Sequence, residues 1–227
     1  MTPASPFPLP GTARSAFPAL DTRSLLHAPK RQRARDTEQS LLAAGRTLLA
    51  TRDFEAISVA QIVAACELSV GAFYGRFRDK AAFFEALQTA AVHEAQQAMA
   101  HHLASSRCAA LPTAVLLDKA MRLLVRGCRA QRGLLRAALQ QAGARPQAWQ
   151  PHGDCATAFA DRMVALLVPR LGDDARAEAK VRFAMQAVFG MLVNALLHDP
   201  LPVRLDDDEL PVQMARLIGS YLAPMRD

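Results

Sequence analysis

Arg76 stands in the segment SVGAFYGRF (residues 69–77), and its guanidinium offers a planar fork of donors suited to a phosphate or to the edge of guanine. Lys80 follows at a helix start signalled by Asp79, where unpaired peptide N–H groups already attract anions. Upstream, KRQRARD (residues 30–36) gathers Lys30, Arg31, Arg33 and Arg35. Such a run serves either as a solvated charged face or as a basic arm able to reach a minor groove or flanking phosphates. Elsewhere the chemistry thins out. Cys66, Cys108, Cys128 and Cys155 are scattered, with no C-x-x-C pair, and read as buried small residues or, alternatively, a redox-sensing thiol. His93, His101 and His102 share one helix without an acidic or thiol partner. No nucleophile–base grouping or phosphate loop is evident. Neither an enzyme, nor a metal, nor a cofactor is expected.

The elements that must hold these residues are helices. Leu41, Ala44, Leu48 and Leu49 recur at helical spacing, predicting a helix over about 36–51. Ser58 can cap the next helix, with Gln61 closing a capping box. Ser69 offers a further cap after a short turn. Two short helices so joined make a helix-turn-helix over 58–77. In the second, steps of about 100° put Val70, Phe73, Tyr74 and Phe77 on one arc, with Gly71, Ala72, Gly75 and Arg76 opposite. The aromatic arc can pack on the preceding helices. The small face can bring backbone close to a partner surface. From Lys80 the pattern runs unbroken to about Leu103, roughly 37 Å of helix. Further helices are expected near 112–129, 131–142, 154–171, 173–198 and 208–223, and no stretch alternates with the period of a strand.

Composition sets outer bounds. The 227 residues are 51% hydrophobic and 21% charged, proportions of a globular chain rather than a disordered one, and the net charge of +6 favours acidic partners such as nucleic acid. Residues 1–29 hold six of the 14 prolines and no apolar run of signal-peptide length, which predicts a disordered leader. The apolar stretch Phe183–Leu197 carries Gln186 and Asn194 and reads as too short to span a bilayer. A cytoplasmic protein without a membrane partner is expected.

The order of these elements resembles the DNA-binding domain of the tetracycline-repressor (TetR) family of transcriptional regulators. The resemblance is carried by SVAQIVAACELSVGAFYGRFRDKAAFFEAL (58–87) and the preceding LLAAGRTLLATRDFEAI (41–57). Phe54, Ile62, Ala65, Ser69, Gly71, Tyr74, Phe77 and Lys80 stand where the family pattern wants a turn residue, core, cap, small residue, tyrosine, phenylalanine and lysine. It implies an all-α fold with a three-helix DNA-binding domain at 30–90 and a larger ligand-binding and dimerisation domain at 91–227. It further implies that residues 69–77 form the recognition helix. Ser69, Tyr74 and Lys80 then contact phosphates, with Ser58, Arg33 and Arg35 in support, while Val70, Gly71, Ala72, Gly75 and Arg76 face bases or adjacent backbone. Three departures stand out. Glu67 replaces the usual turn glycine, so a left-handed backbone is expected there at about 1–2 kcal/mol. Val70 and Gly75 leave the reading face bare, which shifts specificity towards Arg76, methyl contacts and DNA shape.

For the larger domain the residues leave alternatives open. Gln186, Gly190 and Asn194 make a polar stripe that can form a dimer interface, face solvent or line a pocket. With Met214, Leu217, Ile218 and Tyr221 it can build a four-helix interface across a twofold axis, which would set two recognition helices about 34–36 Å apart on a pseudo-palindrome. Trp149, Phe159, Met163, Phe183, Met185 and Phe189 can line an apolar effector cavity or be ordinary core. Trp149 and His152 lie in GARPQAWQPHGD, which reads as a proline-flanked loop. The resulting expectation is a homodimeric regulator, a repressor by resemblance, released from double-stranded operator DNA by a small, largely apolar effector. A helical small-molecule-binding protein without DNA activity is the competing reading.

Overall fold

The computed structural model describes residues 30–198 and 204–223, and the leader expected over 1–29 lies outside them. The described residues form ten α-helices and three short 3-10 turns, with no strand among them. By its internal contacts the chain divides into two units at Asp36 and Thr37. Helix α1 (Lys30–Leu49) begins earlier than the periodicity predicted. Its basic opening is itself helical, because lysine, arginine, glutamine and alanine are good helix formers whether or not they bury anything. The remaining features belong to the second unit.

Two apolar clusters organise that unit. The first gathers Leu41 and Ala44 of α1, Ile62 and Val63 of α2 (Val59–Ala64), Phe73 of α3 (Val70–Tyr74), and Phe83, Phe84 and Leu87 of α4 (Lys80–His102). The second is built from α6 (Thr113–Ala130), α8 (Gln150–Leu167), α9 (Ala177–Leu197) and α10 (Leu210–Leu222). Arg170 braces it from the turn Val168–Arg170, donating to the carbonyls of Cys108, Ala109 and Leu111 where α5 (Ser105–Cys108) ends.

Helix α7 (Arg132–Ala142) joins the first cluster although it lies far along the chain, through Leu134, Ala137 and Ala138. Its close approach rests on Gly133. A methyl group there would fall on the Leu49 carbonyl at the end of α1. A polar tie crosses the same region: Arg46 of α1 grips the Glu94 carboxylate of α4 with both terminal nitrogens, at 2.8 and 2.9 Å. Gln131, at the junction of α6 and α7, donates to the same carboxylate at 3.1 Å.

Two local expectations need correction. The stretch 143–154 is not a loop: the 3-10 turn Pro146–Trp149 runs directly into α8, with Pro151 in the first turn, where its missing N–H is no loss. The apolar stretch judged too short for a bilayer sits in a longer helix. By length and composition α9 could cross one, at a mean hydropathy of 1.3. It instead buries Val181, Met185, Val188 and Leu192 in the bundle core and leaves one face uncovered.

Candidate nucleic-acid interface and ligand cavity

Each piece of the helix-turn-helix is started by a side chain that satisfies an orphan peptide donor. The Gln61 N–H donates to Ser58 Oγ at 3.2 Å and the Ser58 N–H donates to Gln61 Oε1 at 2.8 Å, a reciprocal capping box at α2. The Ala72 N–H donates to Ser69 Oγ at 3.1 Å, opening α3, and the Ala82 N–H donates to Asp79 Oδ1 at 2.7 Å, opening α4. Between α2 and α3 the chain reverses through Glu67, whose φ of 55° is left-handed. The resemblance anticipated this conformation at the position where glycine is usual. A side chain here carries about 1–2 kcal/mol of strain, offset in part by the extra backbone freedom glycine would have when unfolded. Glu67→Gly is accordingly expected to stabilise the protein by about 0.5–1 kcal/mol, read as a higher urea midpoint. A lowered midpoint would show that the Glu67 side chain holds the turn.

Only five residues long, α3 cannot persist on its own. It is held by rings: Phe73 lies 5.4 Å from each of Phe77, Phe83 and Tyr74 between centroids, and Phe77 lies 5.1 Å from Phe83. The predicted aromatic arc is therefore only half right. Phe73 and Phe77 are buried, whereas Val70 and Tyr74 stand 47% and 54% exposed. A five-residue helix presents too narrow a contact to bury all four. The exposed surface of the motif comprises Ser69, Val70, Gly71, Tyr74, Gly75 and Arg76, with Ala72 half-buried among them and Ser58 exposed at the start of α2.

Lys80 occupies the first position of α4, but much of its bonding capacity is used internally. Its Nζ donates to the Glu55 carbonyl at 3.2 Å, lies 3.9 Å from the Glu55 carboxylate and sits 4.4 Å above the Phe54 ring. Arg33 and Arg35 are exposed on the opening turns of α1.

A cavity of about 730 Å³ opens between α4, α6, α8 and α9. Small residues make the room: Ala91, Ala95 and Ala98 share one face of α4 and oppose Gly127 of α6, where larger side chains would fill the space. Of the residues assigned to an effector pocket from the sequence, Trp149, Phe159 and Phe189 line it. Met163 and Met185 do not. Both are fully buried in the second cluster, since they point into the bundle rather than towards α4. Phe183 is 59% exposed on the far side of α9, where its ring lies 5.7 Å from that of Tyr221.

The assignments to a dimer face divide in the same way. Gln186, Gly190, Asn194, Leu217 and Tyr221 are exposed, and Gln186 and Gly190 also border the cavity. Met214 and Ile218 are 2% exposed and packed inside their own bundle, so neither can meet a second chain. Phe183 and Leu197 were missed as members of the uncovered face, although their spacing with Gly190 and Asn194 marks it.

Three titratable groups on the cavity wall, His152, Cys128 and Cys155, are biased towards neutrality by burial. His152, 8% exposed with its ring 5.2 Å from Trp149, is pushed down to about 4. The Cys128 thiol is pushed up to about 12, the proximity of Cys155 adding to burial, and Cys155 is raised as well. All four cysteines are free thiols.

A capped helix-turn-helix presenting a short, exposed helix, joined to a helical bundle with a cavity, is the arrangement of the TetR-type regulator fold. Residues 41–87 match the sequence model of bacterial regulatory proteins of the tetR family. The fold is shared with solved structures. A transcriptional regulator from Cytophaga hutchinsonii ATCC 33406 aligns over 81% of this chain and 95% of its own, with a TM-score of 0.61 at 14% identity. A tetR-family transcriptional regulator from Streptomyces coelicolor aligns over 82% and 80%, at 0.60 and 16%. Salmonella enterica GusR aligns over 87% and 98%, at 0.57 and 18%. No curated protein matches the sequence.

Proposed function

We propose that the chain acts in the cytoplasm as a homodimeric repressor that leaves a pseudo-palindromic operator when a small, largely apolar effector enters the α4–α9 cavity. The observation that carries the DNA-binding part is the construction of α3 and its exit, with Phe73 and Phe77 buried beneath and Tyr74 and the small and basic residues outward. Backbone at Gly71 and Gly75 can then approach a groove floor closely, Arg76 can reach guanine or phosphate, and the Ser69 and Tyr74 hydroxyls can bond phosphates. Lys80 contributes mainly by keeping the start of α4 against Glu55, with its charge still near the same surface. Arg33 and Arg35 join the proposal on charge alone.

The division into a DNA-binding region at 30–90 and a ligand-binding and dimerisation region at 91–227 is part of the same reading, with α7 bearing on both. Dimerisation is supported by the uncovered apolar face of α9 and α10, where Phe183, Leu197, Leu217 and Tyr221 are between 42% and 59% exposed. Exposed apolar side chains so concentrated call for a partner surface.

The test is a band-shift titration against genomic fragments that the protein retains. Arg76→Ala is expected to weaken retention by about 1–3 kcal/mol and to relax sequence preference, while the fold is kept. Retention unchanged by Arg76→Ala combined with Tyr74→Ala would remove α3 as the reading element.

A further inference from the structure

We infer that the cavity takes an amphiphilic anion, an apolar body carrying one carboxylate or similar acidic head, with Arg126 as the residue that selects the charge. The inference deepens the effector reading above and rests on it. The cavity walls are almost wholly apolar, so the few polar side chains around them decide what head group is tolerated. Glu94 is the acid on this lining, and its carboxylate is already occupied by both terminal nitrogens of Arg46 and by Gln131. A cationic ligand would have to displace that grip.

Arg126 is in the opposite situation. It lines the cavity from an exposed position on α6, and no hydrogen bond or ion pair engages it among the described residues. Its surroundings are basic. His102, also on the lining, is lowered by desolvation and then by the positive charges of His101, Arg126, Lys119 and Arg107. The imidazoles of His102 and, through its own burial, His152 are biased towards neutrality, which leaves the Arg126 guanidinium as the unengaged charge on the lining. A carboxylate seated there would gain a two-pronged, charge-assisted contact while its apolar body fills the space beside Trp149, Phe159 and Phe189.

Trp149 is the sole tryptophan of the chain and lies on the cavity wall, so its fluorescence reads occupancy directly. Decanoate, decanol and decylammonium, matched in body and differing in head, are titrated into the intact protein below their micelle-forming concentrations. Decanoate is expected to bind about tenfold tighter than decanol, a difference of about 1.4 kcal/mol, and decylammonium weakest. Arg126→Gln should remove the preference for decanoate and leave decanol unchanged, and added salt should weaken decanoate alone. Equal binding of decanoate and decanol by the unaltered protein overturns the inference, as does a preference that survives Arg126→Gln or tightest binding of decylammonium. A parallel band-shift separates this from the functional reading. Arg126-dependent binding of decanoate that leaves DNA retention untouched upholds the ligand class and counts against release by ligand.

Discussion

Phe73→Ala is expected to destabilise the protein by about 3–5 kcal/mol and to abolish DNA retention at concentrations where the unaltered chain is saturated. Phe73 is fully buried and is the hub of the ring cluster, touching Phe77 and Phe83 as well as Tyr74. Its removal forfeits the burial of the ring and leaves a void that α3, α2 and α4 cannot all close around. The loss falls on a five-residue helix with no stability of its own, so DNA binding should fail even where the rest of the protein is still folded. Urea denaturation followed by circular dichroism gives the first quantity, and a band-shift below the unfolding range gives the second. Val70→Ala is the matched control. At 47% exposure it should change stability by no more than about 0.5 kcal/mol. If Phe73→Ala costs no more than Val70→Ala, the ring cluster is not what fixes α3.

The second large effect is expected at Gly133, where alanine should cost about 3 kcal/mol or more. The added methyl would meet the carbonyl carbon and oxygen of Leu49 and the amide nitrogen of Ala50. Backbone atoms cannot turn aside as a side chain can, so α7 must shift bodily. Leu134, Ala137 and Ala138 would shift with it, out of the cluster that also holds Leu41 and Phe73. Gly127→Ala, inside α6, should do the reverse. A methyl there meets nothing within 4 Å, and alanine is the better helix former by about 1 kcal/mol. Thermal melts of the two variants should therefore move in opposite directions. A Gly133→Ala protein as stable as its parent would mean that the junction of α1 and α7 is loose.

Why some of this was legible in the sequence, and some was not, follows from the range of the forces involved. Ser58, Gln61, Ser69 and Asp79 act on peptide groups three residues away, so the starts of α2, α3 and α4 could be read locally. The strained turn could be anticipated only through the resemblance, whose pattern has a glycine where Glu67 stands. The cavity could not. It exists because Ala91, Ala95 and Ala98 of α4 face Gly127 from another helix, and a run of alanines looks the same whether it meets a neighbour or leaves a gap. Methionine and phenylalanine positions on α8 and α9 likewise give no sign of which way they point. Met163 and Met185 turned inward, and Phe183 turned out. Gly133 carries no mark at all, since its role is set by a carbonyl far back in the chain.

Helix α4 gives Phe83, Phe84, Leu87 and Ala91 to one cluster, and its far end brings Met99 and Leu103 to the other. Gln88, 4% exposed on the same helix, donates at 2.6 Å to the carbonyl of Ala148 in the turn that carries Trp149. The two halves of the protein are therefore mounted in series on a single rod about 35 Å long at 1.5 Å per residue. A rod fastened at both ends and gripped along its length transmits torque better than it absorbs it. Anything that wedges the cavity apart acts at one end of this rod, and the aromatic rings beneath α3 sit at the other.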